Sequence, residues 1–311
     1  MQDRSPKISL NAKGPVVGAL MLVFLILHTV FWVIPFYAIA LIKVITPTAR
    51  LRHMWTGVLA WISLTWLNSN IAVADFVLGT RWQIDVPSTL DKKGSYLLTS
   101  NHQSWVDILA LIKALGKETP FPRFFLKQEL IYVPLLGLCW WALDYPFMKR
   151  HSKEEIAKDP SLKGKDIETT KKACERYRGQ PVTIMNFMEG TRYTPKKAAK
   201  SPYQHLIRPK AGGVAFVLNA MGDQIQSMLN TTIIYPQGAR ELWDYLCGRL
   251  AAIRVVVEEV KIPTEFLGGN YQTDEVYRAN FQQWVSDLWA SKDQFIADQL
   301  VLAKQQETSR G

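Results

Sequence analysis

The spacing of apolar residues divides the chain in two. From Gly14 to Ile42 runs a stretch without a charge, GPVVGALMLVFLILHTVFWVIPFYAIALI, longer than the roughly 20 apolar residues that span hydrocarbon. Pro35 lies inside it and predicts a kink. A short basic turn, KVITPTARLRH, leads to a second uncharged stretch from Met54 to Ala74, less apolar and carrying Trp55, Trp61 and Trp66, which suit a membrane interface. Beyond residue 80 the apolar runs shorten. Strands are expected at SYLLTS (95–100), FPRFFLK (121–127), PVTIMNF (181–187), MLNTTIIYP (228–236) and AIRVVVEEV (252–260). Helical spacing marks WVDILALIKAL (105–115), VPLLGLCWWAL (133–143), KDIETTKKACERYR (165–178), GGVAFVLNAM (212–221) and roughly 274–304. The alternation predicts an α/β domain, residues 81–311, with a mostly parallel sheet flanked by helices. Residues 1–80 are expected to form an N-terminal two-helix membrane hairpin.

Charge refines the hairpin. Arg4, Lys7 and Lys13 precede the first apolar segment, and Lys43, Arg50 and Arg52 follow it. Basic flanks favour the cytoplasmic side, so a hairpin dipping into one leaflet, which keeps both clusters there, fits better than a pair of spans. Ala38–Ala40 (AIA) imitates a signal-cleavage site, but the apolar run far exceeds a signal's core.

The net charge of +10 is concentrated. Residues 113–210 hold 20 Lys and Arg against 10 Asp and Glu, whereas the remainder is balanced at 17 against 17. Between Gly190 and Lys210 stand six basic residues and no acidic one. Such a block draws phosphate esters or an anionic bilayer, or is simply a solvated face. The aromatics do not interleave with it, which argues against nucleic acid. Hydrophobic content of 48% excludes a disordered chain. The three cysteines, Cys139, Cys174 and Cys247, form no CxxC pair. They suggest buried reduced thiols rather than disulfides or a metal site.

Four polar groupings fall at expected strand ends. The first is SNHQSWVD, holding His102 and Asp107. Five residues apart on a regular helix, the two would diverge by about 140°. With Ser100 or Asn101 capping the helix, His102 instead lies at its start and can turn back toward Asp107. A carboxylate on one imidazole nitrogen leaves the other a base; a helix-capping pair fits the same spacing. The second is KQELIYVPLLG, with Lys127 between a strand and a helix, either reaching an anion or simply solvated. The third is FMEGTRYTP, where Glu189, Gly190, Thr191 and Arg192 leave a strand on a sharp turn. Glycine permits close backbone approach and arginine offers a forked donor to phosphate; a surface ion pair is the plainer reading. The fourth is RPKAGG with the later IIYP, placing Lys210 at a helix N-terminus and Pro236 at a strand end.

In order and spacing these blocks resemble the PlsC-type glycerolipid (lysophospholipid) acyltransferase superfamily. The resemblance rests on His-x4-Asp (His102, Asp107), Lys-x-x-Leu-x-x-x-Pro-x-x-Gly (Lys127 to Gly137), Glu-Gly-Thr-Arg (Glu189 to Arg192) and an apolar block ending at Pro236. FLKQELIYVPLLGLCWWALDYPFMKR, GKDIETTKKACE and RPKAGGVAFVLN look closer still to the YihG-type membrane acyltransferases. Tyr193 stands where the family often has serine. The resemblance implies the glycerolipid acyltransferase fold and transfer of an acyl group from acyl-CoA or acyl carrier protein to the hydroxyl of lysophosphatidic acid or a related lysophospholipid. His102 is then the general base and Asp107 its orienting carboxylate. Lys127, Glu189, Gly190, Thr191, Arg192, Lys210 and Arg150 form the phosphate site, with no bound cofactor or metal. It also implies a place on the inner (cytoplasmic) membrane, with the catalytic domain on the cytoplasmic face. No Gly-x-Ser-x-Gly elbow occurs in the chain, so transfer is expected to be direct. A non-catalytic lipid-binding protein, or an esterase or thioesterase using the same pair, are the alternatives.

Overall fold

The computed structural model describes residues 14–148, 159, 168, 171–172, 174–175, 177–225 and 227–308. Two long helices open it, α1 (Gly14–Ile45) and α2 (Ala49–Leu78). Helix α1 continues through Pro35. The left-handed backbone of Gly79 ends α2, its N–H returning to the Asp75 carbonyl. By length and composition both helices can cross a membrane, yet each has one face against the rest of the chain. In α1, Gly14, Gly18, Met21, Phe36 and Ala40 are buried. Val16, Leu20, Val23, Leu27, Val30, Ile34, Leu41 and Ile45 form an exposed stripe along its whole length.

The six-stranded sheet follows: β1 (Arg81–Asp85), β2 (Tyr96–Ser100), β3 (Pro122–Phe124), β6 (Thr183–Phe187), β7 (Ser227–Ile234) and β8 (Ala252–Lys261). Their order is β1-β8-β7-β2-β6-β3, and every pairing is parallel except β7 with β8. The sheet is therefore mostly parallel, as the alternation implied. Two details differ from the sequence reading. The expected strand 121–127 is two pieces: β3 closes the main sheet, while β4 (Leu126–Lys127) pairs with β5 (Phe147–Met148) in a separate ribbon. The edge strand β1 was not expected, because its residues are mostly exposed and carry no buried apolar run. The expected helix 165–178 lies largely outside the described residues; Glu168, Lys171, Lys172, Cys174 and Glu175 are helical.

Alternate residues of the strands feed two cores. Leu97, Ile184 and Met228 pack on one side with α6 (Ala211–Met221) and the long C-terminal helix α8 (Glu275–Thr308). Leu98, Met185 and Leu229 pack on the other with α3 (Val106–Leu115) and with Met21, Ala74 and Leu78 of the hairpin. A third cluster joins Phe36, Ala40, Leu59 and Ile62 of the hairpin to Leu126, Ala142, Leu143 and Tyr145, around the short helix α4 (Leu136–Ala142). Another short helix, α5 (Pro195–Ala198), lies in the basic block.

Polar ties fix both ends of the hairpin. Lys113 of α3 pairs with Asp75, whose other oxygen accepts from Trp82 Nε1 at 2.6 Å. At the turn, Lys43 Nζ reaches the Ala142 carbonyl at 2.6 Å and Asp144 at 2.7 Å. Glycine lets α1 approach α7 (Leu242–Leu246): a Cβ on Gly18 would sit 2.6 Å from Cys247 Sγ and 3.3 Å from Trp243. Gly18→Leu should therefore pry α1 off α7 at a cost of about 1–3 kcal/mol. An unchanged melting temperature in detergent would show that this contact is not a packing constraint.

Candidate active site

In the parallel register Ser100 of β2 stands opposite Phe187 of β6 and Thr231 of β7. β2 and β6 therefore stop at the same level while β7 runs on to Ile234, and the loops after them meet at the carboxyl edge, where open α/β sheets place their ligands. Asn101 stitches the junction. Its side-chain amide donates to the Ile233 carbonyl and its oxygen accepts from Ile233 N–H, both at 2.9 Å.

His102 and Asp107 meet here, with Nδ1 at 2.8 Å from Oδ2. The same carboxylate accepts from the backbone N–H of Gln103 at 2.6 Å and of Ser104 at 2.9 Å. Its second oxygen accepts from the Tyr235 hydroxyl at 2.5 Å. Ser104 Oγ accepts from Val106 N–H at 3.1 Å. Serine serving the helix and a carboxylate three residues on reaching back make the reciprocal pattern of a capping box. Ser104, not the expected Ser100 or Asn101, therefore serves the helix start; Ser100 Oγ donates to the Asn101 carbonyl and the Asn101 side chain is taken up by Ile233. The turn at Ser104 leaves the imidazole facing the carboxylate.

The carboxylate only accepts, so Nδ1 must be the donor, and the lone pair resides on Nε2. That nitrogen has no partner among the described residues, and the His102 side chain is 14% exposed. Asp107 is fully buried. Phe187 lies flat against the ring, centroids 3.9 Å apart and 13° from parallel, which fixes the ring plane. Burial first, then the neighbouring Asp107 carboxylate, hold the Tyr235 hydroxyl well above its usual range, so it remains a donor.

The Glu-Gly-Thr-Arg turn packs beside this pair. Tyr193 N–H donates to the His102 carbonyl at 2.7 Å and Lys210 N–H to the Met188 carbonyl at 2.6 Å. Gly190 has φ +65, and a Cβ there would meet Lys210 Cδ at 3.1 Å and Nζ at 3.4 Å. The positive φ is what favours glycine here, and the absence of a side chain lets Lys210 lie close over the turn. Glu189 points inward rather than toward solvent. Its oxygens accept from His102 N–H at 3.4 Å and Ile207 N–H at 3.3 Å. Arg192 points outward, paired with Glu241 at 3.1 Å and stacked over Trp105 at 4.9 Å. Thr191 Oγ1 accepts from Lys197 Nζ at 2.5 Å.

The remaining expected site residues part company. Lys127 is exposed on the small ribbon and makes no hydrogen bond to this cluster. Gly137, which ends its block, serves folding: a Cβ would fall 2.0 Å from the Ile131 carbonyl. Arg150 lies outside the described residues.

Sequence reasoning missed Tyr235, Phe187 and Lys292. Tyr235 precedes the expected Pro236 and reads as the end of an apolar strand. Lys292, on the C-terminal helix, is fully buried; it donates to the Thr231 carbonyl at 2.6 Å and lies over the Trp289 ring. A lysine within an amphipathic helix carries no signal of this in sequence. Burial pushes Lys292 down to about 7 and Glu189 up to about 8, while the attraction between them opposes both shifts.

A large apolar cavity of about 680 Å³ lies between the hairpin and the sheet domain. It is lined among others by Trp32, Phe36, Trp66, Trp105, Leu136 and Met185. Through Trp105 it reaches the loop that carries His102.

With this arrangement in view, the comparison with known proteins is direct: residues 81–239 match the model of the Acyltransferase family. The chain belongs to that family. An uncharacterized acyltransferase of Saccharomyces cerevisiae is 25% identical over 240 residues, covering 66% of this chain and 59% of the relative. A 1-acyl-sn-glycerol-3-phosphate acyltransferase of Arabidopsis thaliana is 24% identical over 257 residues, covering 76% and 61%. The chain thus spans about six-tenths of the length of these relatives. The crystal structure of the 1-acyl-sn-glycerophosphate (LPA) acyltransferase PlsC from Thermotoga maritima shares the fold. Its TM-score is 0.51 at 13% identity, covering 89% of this chain and 98% of that one.

Because the folded-state pKa of Glu189 is raised above its ordinary 4.5, the folded chain holds this proton more tightly than the unfolded one. Stability from this group is full below about 4.5 and is lost as pH rises through about 8. Glu189→Gln, uncharged throughout, should flatten the fall in melting temperature across that window. An unaltered slope would mean that Glu189 is not the group responsible.

Proposed function

We propose that the chain is a membrane-associated O-acyltransferase that moves a fatty acyl group from acyl-CoA or acyl carrier protein to the hydroxyl of lysophosphatidic acid or a related lysophospholipid. The observation that carries this reading is the 2.8 Å contact between His102 Nδ1 and buried Asp107, with Nε2 left as the base on a loop whose Trp105 lines the apolar cavity. In the reaction Nε2 takes the proton of the acceptor hydroxyl as its oxygen attacks the thioester carbonyl. The new C–O ester bond forms, the C–S bond breaks, and the departing thiolate recovers the proton from the imidazolium. Asp107 stabilises that imidazolium and keeps the ring in the required tautomer.

Arg192 and Lys210 flank the Gly190 turn and supply the positive charge for the acceptor's phosphate; Arg150 is a further basic candidate. The cavity volume and its apolar lining, including Leu136, Cys139 and Trp140 of the LLGLCWWAL segment, suit an acyl chain. The hairpin lies along the domain with an apolar stripe outward. This supports immersion of the hairpin in one leaflet; the basic flanks of α1 are the ground for choosing the cytoplasmic one. An esterase or thioesterase would use the same histidine with water, and a lipid-binding protein would leave the pair idle.

His102→Ala should abolish transfer from labelled acyl-CoA to lysophosphatidic acid while leaving folding and membrane attachment intact. Near wild-type turnover would refute the base assignment, and release of free fatty acid by the wild type without acceptor product would favour hydrolysis. Arg192→Ala should raise the acceptor KM about 30-fold, for charge-assisted bonds worth about 2 kcal/mol. Glu241→Gln, which frees Arg192 from its ion pair, should lower it. A change confined to the donor KM would move Arg192 out of the acceptor site.

A further inference from the structure

We propose that the α/β domain itself enters the bilayer through a third element, the uncharged segment from Ile131 to Ala142. This rests on the membrane reading of the hairpin above, and extends it from the N-terminal helices to the domain. The sequence IYVPLLGLCWWA holds no charge. Contiguous exposed apolar patches are uncommon on a soluble domain and mark interaction with a partner or a membrane. Here large side chains point out: Tyr132 is 82% exposed, Leu138 57% and Trp141 49%, with Leu135 and Leu136 also exposed. The backbone holds them there under strain. Leu135 has φ 64, a conformation that leucine rarely adopts.

The occupant of this face is fixed by what lies beside it. Tyr37 of α1 donates its hydroxyl to the Leu135 carbonyl at 2.5 Å, and Lys43, six residues on, binds the Ala142 carbonyl and Asp144. The segment therefore runs along the last third of α1, between the levels of Tyr37 and Lys43. Leu41 of the exposed stripe stands at this level of the helix, with Ile34 and Ile45 just beyond it on either side. A bilayer that reaches this level of the stripe also meets the exposed side chains of the segment. Exposed Arg50 and Arg52 at the hairpin turn, and exposed Lys127 before the segment, supply cations for anionic headgroups at the edge of this face.

The cavity gives this contact a use. Ile26 and Val30 of α1, Leu135 and Leu136 of the segment, and Trp105 all line the cavity and are also exposed. They form the rim where it opens, and the rim is apolar. An acyl chain can then pass between α1 and the segment directly from hydrocarbon, without crossing water.

The test is a fluorescence measurement on the full chain in vesicles of phosphatidylcholine and phosphatidylglycerol, with or without nitroxide-bearing acyl chains. An environment-sensitive thiol label is placed through Leu138→Cys in a Cys139→Ser background; Cys174 and Cys247 are buried. Leu27→Cys on the α1 stripe and Gln282→Cys on the exposed side of α8 provide references. The expected result is loss of emission at 138 comparable to that at 27, with little loss at 282. Quenching at 27 but not at 138 overturns this inference and leaves the hairpin reading standing. Absence of lipid quenching at 27 overturns the membrane reading itself. A label at 138 shielded from both lipid nitroxide and aqueous iodide marks a protein partner or second copy on this face, and equally overturns the proposal.

Discussion

The candidate site depends on one buried carboxylate. Asp107 has no exposed surface and receives four donors: His102 Nδ1, the backbone N–H of Gln103 and Ser104, and the Tyr235 hydroxyl. A buried carboxylate is tolerated only when its oxygens are satisfied. These four bonds therefore join the end of β2, the start of α3 and the end of β7 into one unit. The same bonds assign the histidine tautomer, so local folding and the poise of Nε2 are consequences of a single desolvated charge. Phe187 completes the constraint from the next strand by stacking on the ring.

Beneath this unit the Glu189 carboxyl buttresses the His102 backbone and the segment at Ile207. Trp289 and Asp293 of the C-terminal helix hold that segment in turn: Trp289 donates to the Ile207 carbonyl at 3.0 Å, and Asp293 accepts from Gln204 and His205 N–H. Lys292, between them, places its ammonium under β7. The site's floor is thus supplied by residues beyond 239, where the family match ends. The acidic residue of Glu-Gly-Thr-Arg is structural in orientation while its arginine faces outward, so four adjacent residues divide between holding the loop and presenting charge.

The hairpin is not an appendage tethered to a finished domain. Its inner face completes two of the three cores, and it forms one wall of the cavity whose other walls come from the sheet domain. Removing it would expose apolar surface on α3 and around Tyr145 as well as opening the cavity. The outward apolar stripe of α1 and the shape of the cavity are therefore consequences of the same packing.

The sequence by itself determined the elements with strong periodicity or uninterrupted apolar runs: the two long helices, the central strands and the final helix. It also located His102, Asp107 and Glu189–Arg192, because residues that leave central parallel strands gather at one sheet edge. It did not reveal β1, an exposed edge strand, or the antiparallel turn of β8, since pairing direction leaves no mark on apolar spacing. Only the tertiary structure decided that Glu189 turns inward, that Lys127 stands apart, and that Tyr235 and Lys292 belong to the site. Those outcomes depend on contacts between residues far apart in sequence, such as Asp107 with Tyr235 and Thr231 with Lys292. Burial, which shifts Glu189 and Lys292 toward neutrality, is a property of the assembled packing and not of any local run of residues.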